Sequence, residues 1–220
     1  MSRVDRNRLL IIFARAPELG RVKTRMAAEL GDAAALAIYR FMAGQVIDCA
    51  RSAAGYHTIV AYDPPDAGPT MRAWLGPSLT LRPQCDGDLG TRMSSAIGDG
   101  IAGGAHAVVV IGTDCPEISA PDIQNAFERL DHADLVIGPA RDGGYYLIGM
   151  SRLHTCVFDG VPWSDPDTLR VTLARAAAAS LSVALLDLRR DIDTAADWHA
   201  WRSRQTGIRR WPPSADTPGR

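Results

Sequence analysis

The sequence predicts an α/β fold in which a parallel or mostly parallel sheet is covered by helices on both faces. Short apolar runs alternate along the chain with longer, often Ala-rich segments that favour helix. The runs at residues 9–13 and 107–112 contain no polar side chain, as expected of strands buried on both faces. The chain has 220 residues, 46% of them hydrophobic, which suits one sizeable core. We therefore expect a single domain over residues 1–207.

Each predicted element has a local basis in the sequence. Strands are predicted where β-branched and other apolar residues concentrate, at residues 9–13, 56–62, 79–82, 107–112, 134–139, 145–150 and 181–188. Helices are predicted at residues 22–30, 33–51, 69–75, 89–102, 120–130, 167–180 and 195–205. The prolines after Asp63 end a predicted strand, and the glycine pair at 103–104 ends a predicted helix. Ser119 and Thr194 are predicted N-cap residues. The Pro-rich residues 208–220 are predicted to form a mobile tail.

Composition and charge argue against several classes of function. The formal net charge of -1 gives no overall attraction to nucleic acid or to an anionic membrane, so any phosphate site must come from a local cluster of cations. The apolar runs are far shorter than the ~20 residues of a membrane span. The four cysteines are scattered and match neither a disulfide framework nor a zinc site. We expect a cytoplasmic monomer or homodimer whose ligands are small molecules.

The loop after the first predicted strand is strongly basic. It carries Arg15, Lys23 and Arg25 around Gly20 and leads into a helix. Free N–H groups at a helix N-terminus attract anions, and the side-chain cations add full charges for phosphate oxygens. The spacing matches neither GxxxxGK[ST] nor GxGxxG. These four residues are the predicted phosphate site, and a solvated basic turn is the alternative.

Three aspartates follow predicted strands. Asp114 comes just after the strand at 107–112, and ligands of open α/β sheets bind at the carboxyl ends of strands. Asp191 and Asp193 follow the last strand, where alternation places both carboxylates on one side of an extended chain. Such carboxylates repel each other unless a cation or a proton lies between them, and hard oxygen ligands suit Mg²⁺ or Mn²⁺. The three aspartates are the predicted metal site; the alternative is that they cap helices or turns.

Two glycine-containing loops complete the candidate site. The segment 141–146 follows the strand at 134–139, and the segment 84–92 precedes a helix. Because glycine lets the backbone approach a ligand closely, both loops are candidates for nucleotide contact. The predicted contacts are Gln84, Gly87, Gly90, Gly143 and Gly144. Asp142 is a candidate general base on the acceptor side. A hairpin turn for the first loop and a simple connection for the second are the alternatives.

Six motifs occur in order over almost the whole chain: FARAPELGRVKTRM, QCDGDLGTRM, GTDCPEIS, GPARDGGYYLIGM, VPWS and DIDTAADW. With them the sequence resembles the bacterial glycosyltransferase-like family, formerly a domain of unknown function. Its members are also called radical-SAM/selenodomain-associated transferase 1 or arsenosugar-biosynthesis glycosyltransferase-like proteins. The resemblance implies a three-layer α/β/α Rossmann-like fold of the nucleotide-diphospho-sugar transferase (GT-A-like) type, with a mostly parallel mixed sheet.

The resemblance also implies roles for individual residues. In the guanylyltransferase relatives of this fold, an aspartate after the central strand and a C-terminal Asp-x-Asp hold the metal. Asp114, Asp191 and Asp193 match those positions. The basic loop matches the phosphate loop of these relatives in place, but their Gly-Gly-rich signature is absent. That absence argues against triphosphate binding.

Three functions are consistent with these residues and with the resemblance. The first is a metal-dependent glycosyltransferase that uses a nucleotide-diphospho-sugar and a small-molecule acceptor, with Lys23, Asp114 and Asp142 in catalysis. The second is a guanylyltransferase-like nucleotidyltransferase, which releases pyrophosphate. The third is a nucleotide-binding module without catalysis.

Overall fold

The computed structural model describes residues 7–205, so the predicted tail at 208–220 lies outside the described residues. Seven strands form one sheet: β1 Arg8–Arg15, β2 His57–Asp63, β3 Thr80–Pro83, β4 Ala107–Ile111, β5 Leu135–Pro139, β6 Tyr145–Met150 and β7 Val183–Leu185. Their order across the sheet is β3-β2-β1-β4-β6-β5-β7. Among the strands of residues 7–205, only β6 runs antiparallel to its neighbours, β4 and β5. The prediction of a mostly parallel mixed sheet is confirmed.

Helices cover both faces of this sheet: α1 Thr24–Leu30, α2 Asp32–Ser52, α3 Gly68–Leu75, α4 Leu89–Ala102, α5 Ala120–Arg129, α6 Thr168–Ala178 and α7 Ala195–Arg204. One core cluster joins α2, α3 and α5 to side chains such as Leu10 and Val109. A second joins α4, α6 and a short 3₁₀ helix, Thr155–Phe158, to side chains such as Ile11 and Val108. Because alternate residues of β1 and β4 enter different clusters, the sheet is buried on both faces, and the predicted three layers are confirmed.

Local signals placed most element ends correctly. Ser119 and Thr194 are N-caps of α5 and α7, each within a complete capping box. Two elements differ from the prediction. Helix α1 begins at Thr24 instead of residue 22, because Lys23 has a left-handed backbone with φ 48 and ψ 47. Strand β7 spans three residues, since it is an edge strand that pairs only with β5.

Helix α2 is the one helix within residues 7–205 that is long and apolar enough to cross a membrane, with a mean hydropathy of 1.2. Core helices of soluble proteins meet the same criterion of length and composition. One face of α2 is buried against the sheet and neighbouring helices, including Ile38, Met42 and Ile47. This packing is that of a core helix. The four cysteines are free thiols, as predicted.

Candidate active site

A cleft of about 890 Å³ opens at the carboxyl ends of the parallel strands. We call one set of its lining residues the acidic wall: Asp114, Asp142, Asp191 and Asp193. We call a second set the loop wall: Asp63, Gln84, Gly87, Arg92 and Trp163. The cations Arg15, Lys23 and Arg25 also line the cleft. Most of the residues singled out in the sequence therefore meet in one place.

The backbone brings three carboxylates of the acidic wall together. The Ile192 N–H donates to the Asp114 carbonyl oxygen at 2.9 Å, which ties the segment after β7 to the end of β4. The Ile192 side chain is fully buried in a cluster with Met26. Since alternate residues of an extended chain point to opposite sides, Asp191 and Asp193 on either side of Ile192 line the cleft.

Lys23 lies between two of these carboxylates. Its Nζ is 2.8 Å from Asp114 Oδ1 and 2.7 Å from Asp193 Oδ1, and it donates to the Ile192 carbonyl oxygen at 2.6 Å. The side chain is 5% exposed. Burial acts to lower the pKa of Lys23, but Asp114 and Asp193 outweigh it and raise that pKa, so the ammonium stays charged. The left-handed backbone costs on the order of 1 kcal/mol for a residue other than glycine, and these three contacts offset it.

This arrangement differs from the prediction for Lys23. The sequence predicts an ammonium that meets phosphate, whereas all three of its donors are used inside the protein. Helix α1 begins two residues later than predicted, and the Lys23 side chain, which precedes it, enters the space between Asp114 and Asp193.

Asp191 has the least favourable environment of the acidic wall. Its Oδ1 is buried and accepts no hydrogen bond from the residues that the structure describes. Burial, followed by the nearby charges of Asp114, Asp142 and Asp193, raises the pKa of this carboxyl to about 7. Near neutral pH the group therefore exchanges a proton readily, and a cation beside it would be stabilised.

The acidic wall suits a divalent cation in its chemistry but is not a preformed metal site. Its ligands are all hard oxygens, and one of them, Asp191 Oδ1, is buried without a partner. Yet among residues 7–205 no three Asp, Glu, His or Cys side chains are gathered closely enough to hold an ion. In this structure the Lys23 ammonium pairs with two members of the predicted triad, Asp114 and Asp193.

Some residues of the basic loop line the cleft and others do not. Arg15 and Arg25 are exposed at the cleft, and Arg25 Nη1 is 4.0 Å from Asp193 Oδ2. Gly20 does not line the cleft; its φ of +74 serves the turn before α1. Tyr39, which the sequence did not indicate, donates to the Arg15 carbonyl oxygen at 2.7 Å and accepts from the Arg15 N–H at 2.8 Å. This buried hydroxyl fixes the backbone at the end of β1.

The loop wall depends on an arginine that the sequence reading missed. Arg92 Nη1 is 2.9 Å from Asp63 Oδ1 and 3.3 Å from Gln84 Oε1, and Arg92 Nε donates to the Gly87 carbonyl oxygen at 3.0 Å. Arg92 therefore ties the loop before α4 to the end of β2. A signal was available: a cation in the first turn of a helix opposes the helix dipole, so it calls for an acidic partner.

Two predicted contact residues prove to be packing positions. A Cβ on Gly90 would lie 2.4 Å from Trp163 Cζ2, and a Cβ on Gly143 would lie 2.0 Å from the Pro166 carbonyl oxygen. Neither glycine lines the cleft. Both are needed because another part of the chain packs directly on them, so the prediction that they contact nucleotide is not supported.

Asp142 and Gly144 do line the cleft, in the turn of the β5–β6 hairpin. Asp142 Oδ1 accepts from the Gly144 N–H at 2.9 Å, which fixes the carboxylate within the turn. The hairpin alternative for this segment is thus correct, and the turn also brings Asp142 to the acidic wall.

Known structures share the fold of this chain. A crystal structure of a provisionally named nucleotide-diphospho-sugar transferase from Desulfovibrio desulfuricans G20 is 32% identical, with a TM-score of 0.87, and the match covers 92% of this chain and 90% of that one. CMP:2-keto-3-deoxy-manno-octonic acid synthetase complexed with CTP shares the fold at 14% identity and a TM-score of 0.58, over 90% of this chain and 97% of that one. Rv0371c from Mycobacterium tuberculosis H37Rv, in complex with manganese, does so at 16% identity and a TM-score of 0.54, over 90% and 100%.

None of the curated proteins compared with the chain matches it. The fold is that of the nucleotide-diphospho-sugar transferases and nucleotidyltransferases, as the six motifs implied. A family model described as "Uncharacterized protein conserved in bacteria (DUF2064)" matches residues 46–165. The chain belongs to this DUF2064 family, within the nucleotide-diphospho-sugar transferase superfamily.

Proposed function

We propose that the protein is a metal-dependent transferase that takes a nucleotide-diphospho-sugar as donor and a small molecule as acceptor. One observation carries the proposal: cations after β1 and carboxylates after β4 and β7 line the same cleft. The relative at 32% identity, itself named for this class of donor, supports the same reading. The cleft volume of about 890 Å³ suits a ligand of nucleotide-sugar size.

Binding of the donor is assigned to the cations and the loop wall. Arg15 and Arg25 are exposed at the cleft, so their guanidinium groups are available for diphosphate oxygens. Gln84, Gly87 and Gly144 line the cleft where a base or a ribose needs hydrogen-bonding groups. Gly87 is exposed and has a φ of +118, a conformation that glycine adopts without strain.

The reaction requires that charge on the departing nucleoside diphosphate be stabilised. Asp114, Asp191 and Asp193 would hold a divalent cation, which would supply charge neutralisation for such a leaving group, and manganese is present in the Rv0371c structure that shares the fold. Arg15 and Lys23 add positive charge beside the same group. Asp142, held in its turn by Gly144, is assigned to accept the proton of the acceptor hydroxyl.

Nucleotidyl transfer is the second candidate, because the fold is shared with a synthetase that binds CTP. In that reaction an acceptor attacks a nucleoside triphosphate and pyrophosphate leaves. The same carboxylates and Lys23 would serve it. Absence of a Gly-Gly-rich first loop in the sequence counts against it.

Product analysis separates the candidates. A thermal-shift panel of nucleotides and nucleotide sugars, with and without Mn²⁺, first identifies a ligand through its stabilisation of the folded state. We then expect a nucleotide sugar to yield a nucleoside diphosphate in the presence of acceptors. Pyrophosphate from a triphosphate would select nucleotidyl transfer. Binding without turnover across all acceptors would select the non-catalytic module. Asp142→Asn should abolish turnover, and Asp48→Asn, an exposed carboxylate of α2, serves as the matched control.

A further inference from the structure

The space between Asp114 and Asp193 is already taken by a cation of the protein. Each aspartate gives its Oδ1 to Lys23, and the Ile192 carbonyl oxygen takes the third ammonium donor. Mg²⁺ and Mn²⁺ prefer several oxygen ligands at short distance. A divalent ion placed between the two carboxylates would occupy the position of the ammonium, so the two cations compete for that position.

Displacement leaves Lys23 in need of a new partner. Its side chain is 5% exposed, and a buried ammonium without a partner is strongly unfavourable. Arg25 offers no relief, since it is another cation and lies 4.0 Å from Asp193. The Lys23 side chain does line the cleft, where a phosphate group would supply acceptor oxygens. A metal that enters alone leaves the ammonium unpaired, whereas a metal that enters with a diphosphate leaves every charge paired.

We propose that Lys23 and the divalent cation exchange at Asp114 and Asp193. In the free protein Lys23 holds the two carboxylates. When a nucleoside diphosphate arrives with the metal, the metal takes the carboxylates and the ammonium passes to phosphate. The metal and the nucleotide thus bind cooperatively through one lysine. This inference rests on the proposed function, because it assumes that the cleft takes both ligands.

The exchange predicts two effects of opposite sign for Lys23→Met, which removes the ammonium and keeps an apolar stem. Without nucleotide, Mn²⁺ should bind the full-length variant at least about tenfold more tightly than the unmodified protein, because the competing cation is gone. At saturating Mn²⁺, the nucleoside diphosphate should bind the variant about tenfold more weakly, because phosphate has lost a partner. Electron paramagnetic resonance measures free Mn²⁺, and calorimetry measures whichever of ADP, CDP, GDP and UDP binds the unmodified protein.

Arg21→Met is the matched control, since it removes the same charge from an exposed side chain of the same loop that does not line the cleft. It should change the Mn²⁺ affinity by less than about twofold. Equal tightening in both variants, or an unchanged or weaker Mn²⁺ affinity in Lys23→Met, would overturn the exchange. Should circular dichroism show that Lys23→Met is unfolded, Lys23→Gln replaces it with the same expected signs.

Failure of the exchange can be told apart from failure of the proposed function. If the unmodified protein and Lys23→Met both bind Mn²⁺ and nucleotide with equal affinities, only the exchange is wrong. If neither protein binds Mn²⁺, the metal-dependent function is wrong and the exchange falls with it.

Discussion

The two walls of the cleft hold their charges in different ways. On the loop wall Asp63 is paired with Arg92, whose remaining contacts reach Gln84 and the Gly87 carbonyl. On the acidic wall the buried Lys23 pairs with two of the four carboxylates, Asp114 and Asp193, and a buried oxygen of Asp191 has no partner among the described residues. The loop wall is electrostatically complete as it stands. The acidic wall is not, because burial and the neighbouring carboxylates raise the pKa of Asp191.

Asp191→Asn should have the largest effect on stability. We expect it to stabilise the protein, whereas removal of a carboxylate from the loop wall should destabilise it. The folded pKa of Asp191 is raised to about 7 from 3.8. A raised pKa means that this group stabilises the fold fully below about pH 4, and that the contribution is lost as pH rises through about 7. The loss is on the order of 4 kcal/mol for a shift of this size. In the presence of a metal chelator, we expect Asp191→Asn to be more stable than the unmodified protein at pH 8.

Chemical denaturation at pH 5 and pH 8, with EDTA present, measures this effect. The unmodified protein should lose stability between the two pH values, and the variant should lose much less. Identical pH dependence in both proteins would contradict the claim that Asp191 carries an unbalanced charge.

Asp193→Asn comes next and tests the acidic wall as a ligand site. The substitution removes one partner of Lys23 and one oxygen of the proposed metal site. We expect the Mn²⁺-dependent affinity for the nucleoside diphosphate to fall on the order of 100-fold. Calorimetry with Mn²⁺ measures it, with Asp48→Asn as the control. Loss of the same size in Asp48→Asn would mean that the effect is not local.

Gly90→Ala tests whether packing supports the loop wall. The new methyl group would lie 2.4 Å from Trp163 Cζ2, so the indole or the loop has to move. Overpacking of this kind costs about 2 kcal/mol. Gly44→Ala in α2, where the methyl group meets no atom within 4 Å, is the control and should be neutral or stabilising. Equal thermal unfolding temperatures for the two variants would refute the packing role.

Asp63→Asn should have the smallest effect and the opposite sign to Asp191→Asn. It leaves Arg92 without its carboxylate partner in a partly exposed position. We expect a loss of about 1 kcal/mol at pH 8, since exposed ion pairs contribute little. Denaturant unfolding measures it beside Asp191→Asn. A gain in stability would show that the loop wall, too, carries unbalanced charge.

The residues of the acidic wall could be predicted from the sequence because they follow regular patterns. Asp114 follows a buried strand, and the alternation around Ile192 places Asp191 and Asp193 on one side of the chain. The caps at Ser119 and Thr194 are likewise local patterns. Periodicity and strand ends carry such information directly.

Most of the loop wall could not be predicted from the sequence because it depends on contacts between distant segments. The pairing of Arg92 with Asp63 and the packing of Trp163 on Gly90 have no periodic pattern. The orientation of the Lys23 side chain has no periodic pattern either. Its charge is evident in the sequence, but its orientation depends on the left-handed backbone of Lys23 itself, just before α1. A glycine required by packing and a glycine near a ligand look alike in a sequence.

We propose that nucleotide and divalent cation meet at the acidic wall. The most direct measurement is calorimetric titration of a nucleoside diphosphate into the unmodified protein, once with Mn²⁺ and once with EDTA. We predict binding at least about tenfold tighter with Mn²⁺. Equal affinity under the two conditions would contradict the claim.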